Sequence, residues 1–195
     1  MIYCKSRRSA MRVMEKTVTF VEQKLFLKVN KEKTKVDLAW KLKFLGFSFY
    51  KTKGEVRVRI HPKSIAKMKA KVKLLTGRSF GISNEERPIK LRRYIMGWIN
   101  YFKIADIKTL LKRVDEWMRR RIRMIYWKQW KKVRTRISQL ISLGIEMSKA
   151  WEFANTRKGY WRVSNSPISS CSLTNDAIKK RNYIFFSEYY SHVNA

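Results

Sequence analysis

Apolar and polar positions along the chain change their period twice, and the elements they predict divide accordingly. From about Ser6 to Leu27, Met11, Met14, Val18, Val21 and Leu25 advance by threes and fours, which predicts an amphipathic helix. Met1 to Tyr3 ahead of it reads as the stump of a strand. After the helix, Phe26 to Val29 and Thr34 to Leu38 read as two short strands around a polar turn at Asn30-Lys31-Glu32-Lys33. Lys43 to Tyr50 and Glu55 to Ile60 then predict a hairpin around Thr52-Lys53-Gly54. In its second strand Val56, Val58 and Ile60 alternate strictly with Arg57 and Arg59. Gly46 falls inside the first strand, where a bulge, a close backbone approach or a tolerated glycine would each account for it.

Beyond His61-Pro62 the period returns to 3.6. Ile65, Met68, Val72 and Leu75 form a stripe opposite lysines, and a turn bounded by Gly77 and Gly81 comes next. Ser83-Asn84-Glu85-Glu86 has capping-box form ahead of a helix carrying Leu91, Ile95, Trp98 and Phe102. Asp106 is the candidate N-cap of a long helix whose buried stripe is Leu111, Val114, Met118, Ile122 and Ile125. Val133, Ile137, Leu140 and Ile141 predict another helix stopped by Gly144, and Glu146 to Ala154 a short one. Pro167 interrupts the next segment, and Thr174-Asn175-Asp176 opens a last helix ending near Asn182. The fold class is therefore α+β: mixed up to about residue 60, nearly all helical afterwards.

Length and composition permit a packed core. The chain has 195 residues, 45% hydrophobic and 13% aromatic, enough for one sizeable domain or two small ones. Charge changes the picture more. Lys and Arg number 46 against 14 acidic residues, a net +32, which repels itself in the compact state and is relieved by a polyanion. Residues 1–60 hold 16 basic and 5 acidic residues, 61–135 hold 22 and 5, and 136–195 hold 8 and 4. The middle third is the electrostatic centre.

Arg119, Arg120, Arg121, Arg123, Lys128, Lys131, Lys132, Arg134 and Arg136 run without an acidic residue between Trp117 and Arg136, interleaved with Tyr126, Trp127 and Trp130. Cations neutralise phosphates and exposed rings stack on unpaired bases, so the mixture points to RNA at least as well as to DNA. The competing reading is a solvated amphipathic helix with its rings in the core; Trp117 flanks the apolar stripe and is expected there. Lys63, Lys67, Lys69, Lys71 and Lys73, together with Arg57 and Arg59, are further candidates for contact with a nucleic-acid backbone or simply a soluble face. Arg157, Lys158 and Arg162 surround Gly159-Tyr160-Trp161, where a turn at the glycine would present all three cations or the two rings would pin the loop.

Chemistry of a catalytic kind is not visible. The acids are scattered, and Glu85-Glu86 and Asp115-Glu116 fit capping or surface pairing rather than a two-metal site. Cys4 and Cys171 cannot build a disulfide scaffold, and with only His61 and His192 beside them a zinc site is not expected. The expectation is no catalytic and no metal-ligating residue. No apolar run is long enough to span a bilayer and no signal-peptide core comes after the N-terminus, so a cytoplasmic location is the default.

Ile2-Tyr3-Cys4-Lys5-Ser6, the helix after it, Leu27 to Thr34 and Phe44-Leu45-Gly46-Phe47 resemble the end of the palm domain of group II intron reverse transcriptases, the intron-encoded maturases. Gly97 to Phe102, Trp117 to Arg123 and Trp127 to Lys131 are similar to their maturase-specific region. Leu143-Gly144-Ile145 and Lys158 to Arg162 continue the likeness, closest to the bacterial class without an endonuclease domain. The resemblance covers nearly the whole chain and implies three parts: the C-terminal part of the palm over 1–60, a helical thumb and the start of the maturase region over 61–136, and the C-terminal maturase region over 137–195.

In that family these regions bind the parent intron RNA and assist its folding and splicing. The family's polymerase uses magnesium held by aspartates, including those of a Tyr-Ala-Asp-Asp motif just ahead of the segment matched here. The chain begins after that motif and reads as a C-terminal fragment, so no cofactor of its own and no autonomous polymerase activity are expected. The resemblance implies that Lys31, Lys33 and Lys35 line the primer or template path, and that the 63–73 lysines and the 119–136 cations run along nucleic acid. The implied partners are group II intron RNA, with primer or target DNA and a separate fingers–palm piece as further candidates. Two other readings stay open: the second half of a split RNA-directed DNA polymerase, and a non-specific polyanion or membrane-surface binder.

Overall fold

The computed structural model describes residues 2–52 and 54–194. Met1, at the expected strand stump, and Lys53, in the expected hairpin turn, lie outside the described residues, and Ile2 and Tyr3 belong to no strand. The chain divides into two compact units, Met1–Val58 and Arg59–Ala195.

The first unit contains α1 (Arg7–Gln23), β1 (Phe47–Thr52) and most of β2 (Glu55–Ile60). Ser6 caps α1, its hydroxyl accepting from the Ser9 amide at 3.2 Å. The helix stops four residues short of the expected Leu27, because Phe26 turns into the left-handed region at φ 51°. Its apolar stripe is shallow: Met14, Val18 and Val21 are half-buried, while Met11 and Leu25 are exposed.

The expected strands at 26–29 and 34–38 do not form. A strand requires a ladder partner, and β1 with β2 is the one sheet among the described residues. The predicted turn between them is present, with Asn30 Oδ1 accepting from the Lys33 amide at 3.1 Å. Gly46 is likewise not inside a strand. Leu45 and Gly46 have φ of 48° and 89°, and Phe44 and Phe47 exchange amide–carbonyl bonds of 3.0 and 2.8 Å across them. Both central residues of such a two-residue turn must be left-handed, which explains the glycine.

The second unit comprises α2 (Pro62–Leu75), α3 (Glu86–Phe102), α4 (Lys108–Gln129), α5 (Val133–Ser142), α6 (Met147–Ala154), α7 (Tyr160–Val163), α8 (Pro167–Ser172), α9 (Asn175–Lys179) and α10 (Phe186–Val193). The stripes on α2, α3 and α4 fall where their spacing put them: Met68, Val72 and Leu75, then Leu91, Ile95, Trp98 and Phe102, then Leu111, Val114, Met118, Ile122 and Ile125 are buried. Ser83 Oγ accepts from the Glu86 amide at 3.0 Å. Gly144, at φ 85°, ends α5 with the Ile145 amide donating back to the Leu140 carbonyl at 3.0 Å.

Three boundaries differ from expectation. The N-cap position of α4 is Ile107, which makes no side-chain bond, one residue beyond the expected Asp106. Pro167 opens α8 instead of breaking it, since a first-turn position has no intrahelical N–H bond to lose. The helix opened by Thr174 is also not the last, because α10 comes after the left-handed Asn182.

α10 packs on both α3 and α4. Phe185 and Phe186 are fully buried, and Phe186 meets Trp98 edge-on at 5.6 Å. Asp115, in the middle of α4, fixes this docking. Its Oδ1 accepts from the Phe186 amide at 2.9 Å and its Oδ2 from the Ser187 amide at 2.8 Å, so it caps α10 from another helix. Burial pushes the Asp115 carboxyl above the usual range, against the pull of those amides and of Arg119. Its neighbour Glu116 is exposed. Replacing Asp115 with alanine strands two amides, one of them fully buried, and should lower the unfolding free energy by about 2 kcal/mol. Urea unfolding followed by tryptophan fluorescence checks this; a change under about 0.5 kcal/mol, the size expected of an ordinary surface site, would refute the capping role.

Candidate nucleic-acid interface

The acid-free run on α4 turns largely inward. Arg121 is buried, its Nε donating to Thr76 Oγ1 at 2.6 Å and its Nη2 to the carbonyls of Lys73 (3.0 Å) and Thr76 (3.1 Å). Arg123 donates to the Leu173 carbonyl at 2.9 Å and reaches Asn175 Oδ1 at 3.4 Å. Arg136 donates to the carbonyls of Trp130 (2.9 Å) and Ala154 (3.0 Å), with its guanidinium 5.0 Å from the Trp127 ring centre. Arg119 lies over Phe185 at 4.7 Å. Burial lowers the Arg121 and Arg123 pKa values, and the charge of Arg119 lowers that of Arg123 further.

Arg121, Arg123 and Arg136 satisfy backbone carbonyls at element ends, and Arg119 covers a buried ring. The expectation of one continuous phosphate-binding face over 119–136 is corrected accordingly. The rings take the same course: Tyr126, Trp127 and Trp130 are buried, so they are not stacking platforms, and Trp117 is half-buried beneath the Arg121 guanidinium.

Other cations do face outward. Lys63, Lys67, Lys69, Lys71 and Lys73 on α2 are exposed, as are Lys131, Lys132, Arg134, Arg157, Lys158 and Arg162. Among the described residues no ion pair involves any of the α2 lysines. Lys128 is half-buried and donates to Ser79 Oγ at 2.9 Å. Arg59 is exposed on β2. In the first unit Lys31, Lys33 and Lys35 are exposed, whereas Arg57 holds Glu55 in a two-pronged pair at 3.1 and 3.3 Å.

The structure adds residues that the charge count passed over. Arg120 stacks on Trp161 at 3.8 Å and donates to its carbonyl at 3.0 Å; Arg78 lies over Tyr160 at 5.5 Å. Both rings are therefore pinned by cations from other elements, and Trp161 retains 38% of its surface. Gly159 has an ordinary φ of −60° and starts α7, so Arg157 and Lys158 lead into a helix N-terminus while Arg162 sits inside it. Arg87 is also buried, its Nη1 donating to Leu75 and Gly77 carbonyls (3.2 Å each) and its Nη2 to Ile82 (2.9 Å). The signal for this cluster was present as Gly77-Arg78-Ser79-Phe80-Gly81, a cation and a ring confined between two glycines.

The described residues contain no group of three or more His, Cys, Asp or Glu able to hold a metal ion, and no helix among them is long and apolar enough to cross a membrane. Residues 65–141 match the family described as group II intron, maturase-specific domain; the matched stretch runs from the first turn of α2 to the last turn of α5. No curated protein matches the chain.

Proposed function

We propose that the chain is a group II intron maturase piece that assists intron splicing, the reading supported by the match of residues 65–141 to the maturase-specific domain family, and that it binds structured group II intron RNA through the outward cations of α2 and of the Arg78–Arg120–Trp161 cluster. One observation carries the reading. α2 displays five lysines that no carboxylate among the described residues neutralises, and α7 adds the exposed Trp161 ring held by Arg120. A surface of that kind neutralises phosphates along a backbone and offers faces for unpaired bases, the pattern by which loops and bulges of RNA are recognised. Binding stabilises a folded RNA by mass action, and affinity of this kind is enough to assist splicing. Lys31, Lys33 and Lys35 add a cationic segment in the first unit that serves the same polyanion.

Titration of the full chain against intron RNA and against scrambled RNA of equal length, over a salt series, tests the proposal. Intron RNA should bind about tenfold tighter or more at every salt concentration. Equal affinity throughout would reduce the protein to a general polyanion binder, and a preference for anionic vesicles at physiological salt would place it on membranes instead.

A further inference from the structure

An open groove of about 590 Å³ lies where the C-terminal end of α2, the 77–80 turn and the middle of α4 meet. Its floor is apolar, with Leu74, Phe80 and Met124, and its charged lining is Lys73, Arg78 and Arg121, with no acidic residue. Leu74 and Phe80 keep 47% and 39% of their surface. Arg121 commits its Nε and Nη2 to a hydroxyl and two carbonyls, so it supplies mainly positive potential to the groove; Lys73 and Arg78 have donors to give.

The turn that carries Phe80 is tightly closed. A Cβ on Gly77 would come within 3.2 Å of the Phe80 Cβ and 3.0 Å of the Leu74 carbonyl oxygen, so only glycine lets the turn close this tightly over the helix end. Arg87 ties the same turn down from behind through Gly77 and Ile82.

We propose that this groove takes one unpaired RNA nucleotide, its base against Phe80, Leu74 and Met124 and its phosphate between Lys73 and Arg78. The charge complementarity and the volume fit a nucleotide, and a duplex stem is too wide to enter. The inference rests on the RNA-binding reading and deepens it: the rest of the cationic surface holds a paired backbone, and the groove selects RNA that offers an extruded base.

The full chain is titrated with two RNA hairpins identical but for a single bulged nucleotide, using wild type, Phe80→Leu and Phe80→Ala, with thermal unfolding run on each variant. The bulged hairpin should bind wild type about tenfold tighter, the effect of one stacked base. Phe80→Leu, which keeps the apolar volume, should abolish that preference while leaving affinity for the paired hairpin unchanged. A wild-type protein that binds both hairpins equally, or a folded Phe80→Leu variant that keeps the preference, would each overturn the groove assignment and leave general RNA binding standing. Failure to bind either hairpin better than heparin would instead remove the reading on which it rests.

Discussion

Arg121→Ala should lower the unfolding free energy of the second unit by about 3 kcal/mol, more than the replacement of any outward-facing cation. The reason lies in the carbonyls at the end of α2. A helix leaves its last carbonyls without intrahelical partners, and each needs one when buried. Here the Val72 oxygen accepts from the Thr76 amide and hydroxyl, and the Leu74 oxygen accepts from the Gly77 amide. The Lys73 and Thr76 oxygens accept from Arg121, and the Leu75 oxygen accepts from Arg87. Removing Arg121 leaves two carbonyls and the fully buried Thr76 hydroxyl without its fork of donors.

Arg121→Lys should recover little, because one ammonium cannot reproduce a planar fork reaching three acceptors. Urea unfolding monitored by the tryptophans of the second unit gives the measurement. A loss below about 0.5 kcal/mol would mean that water replaces the guanidinium and that the cap is not structural. Arg87→Ala acts on the same turn, so the double variant should cost less than the two singles combined.

The same geometry explains why Arg121 was unreadable as a cap. A sequence displays an arginine's charge and its position on a helix, but the acceptors it meets belong to an element 45 residues away. Nothing in the 119–136 run distinguishes a guanidinium aimed at phosphate from one aimed at a carbonyl. Hydrophobic stripes are legible for the opposite reason. Burial imposes a period on the helix itself, so Leu91, Ile95 and Trp98, or Leu111, Val114 and Met118, declare their inward face locally.

The first fifty residues defeated the same logic. Phe26 to Val29 and Thr34 to Leu38 have strand-forming residues, yet β structure depends on a neighbouring chain segment, which local composition does not reveal. Leu45 in the left-handed region disguised a tight turn as the interior of a strand. Asp115 shows the intermediate case. Capping was foreseeable from its residue type, but the helix that it caps lies 71 residues downstream.

The five α2 lysines make the opposite prediction from Arg121: replacing Lys67, Lys69, Lys71 and Lys73 together with glutamine should leave stability nearly unchanged and weaken RNA binding about 100-fold at physiological salt. Glutamine matches lysine in helix propensity, and all four side chains are exposed and unpaired, so folding loses almost nothing. Binding loses the counterions that those lysines release from phosphate. Each true contact steepens the logarithmic dependence of affinity on salt by about 0.7 to 0.9, so the quadruple variant should flatten that slope by about 3. Removing Lys103, Lys108, Lys112 and Lys149 subtracts the same net charge at exposed positions elsewhere in the second unit. If affinity tracked net charge alone, both variants would lose equally and the slopes would agree. A steeper loss from the α2 set assigns the contact to that helix, because phosphate recognition is local within a Debye length of about 8 Å while net charge is not.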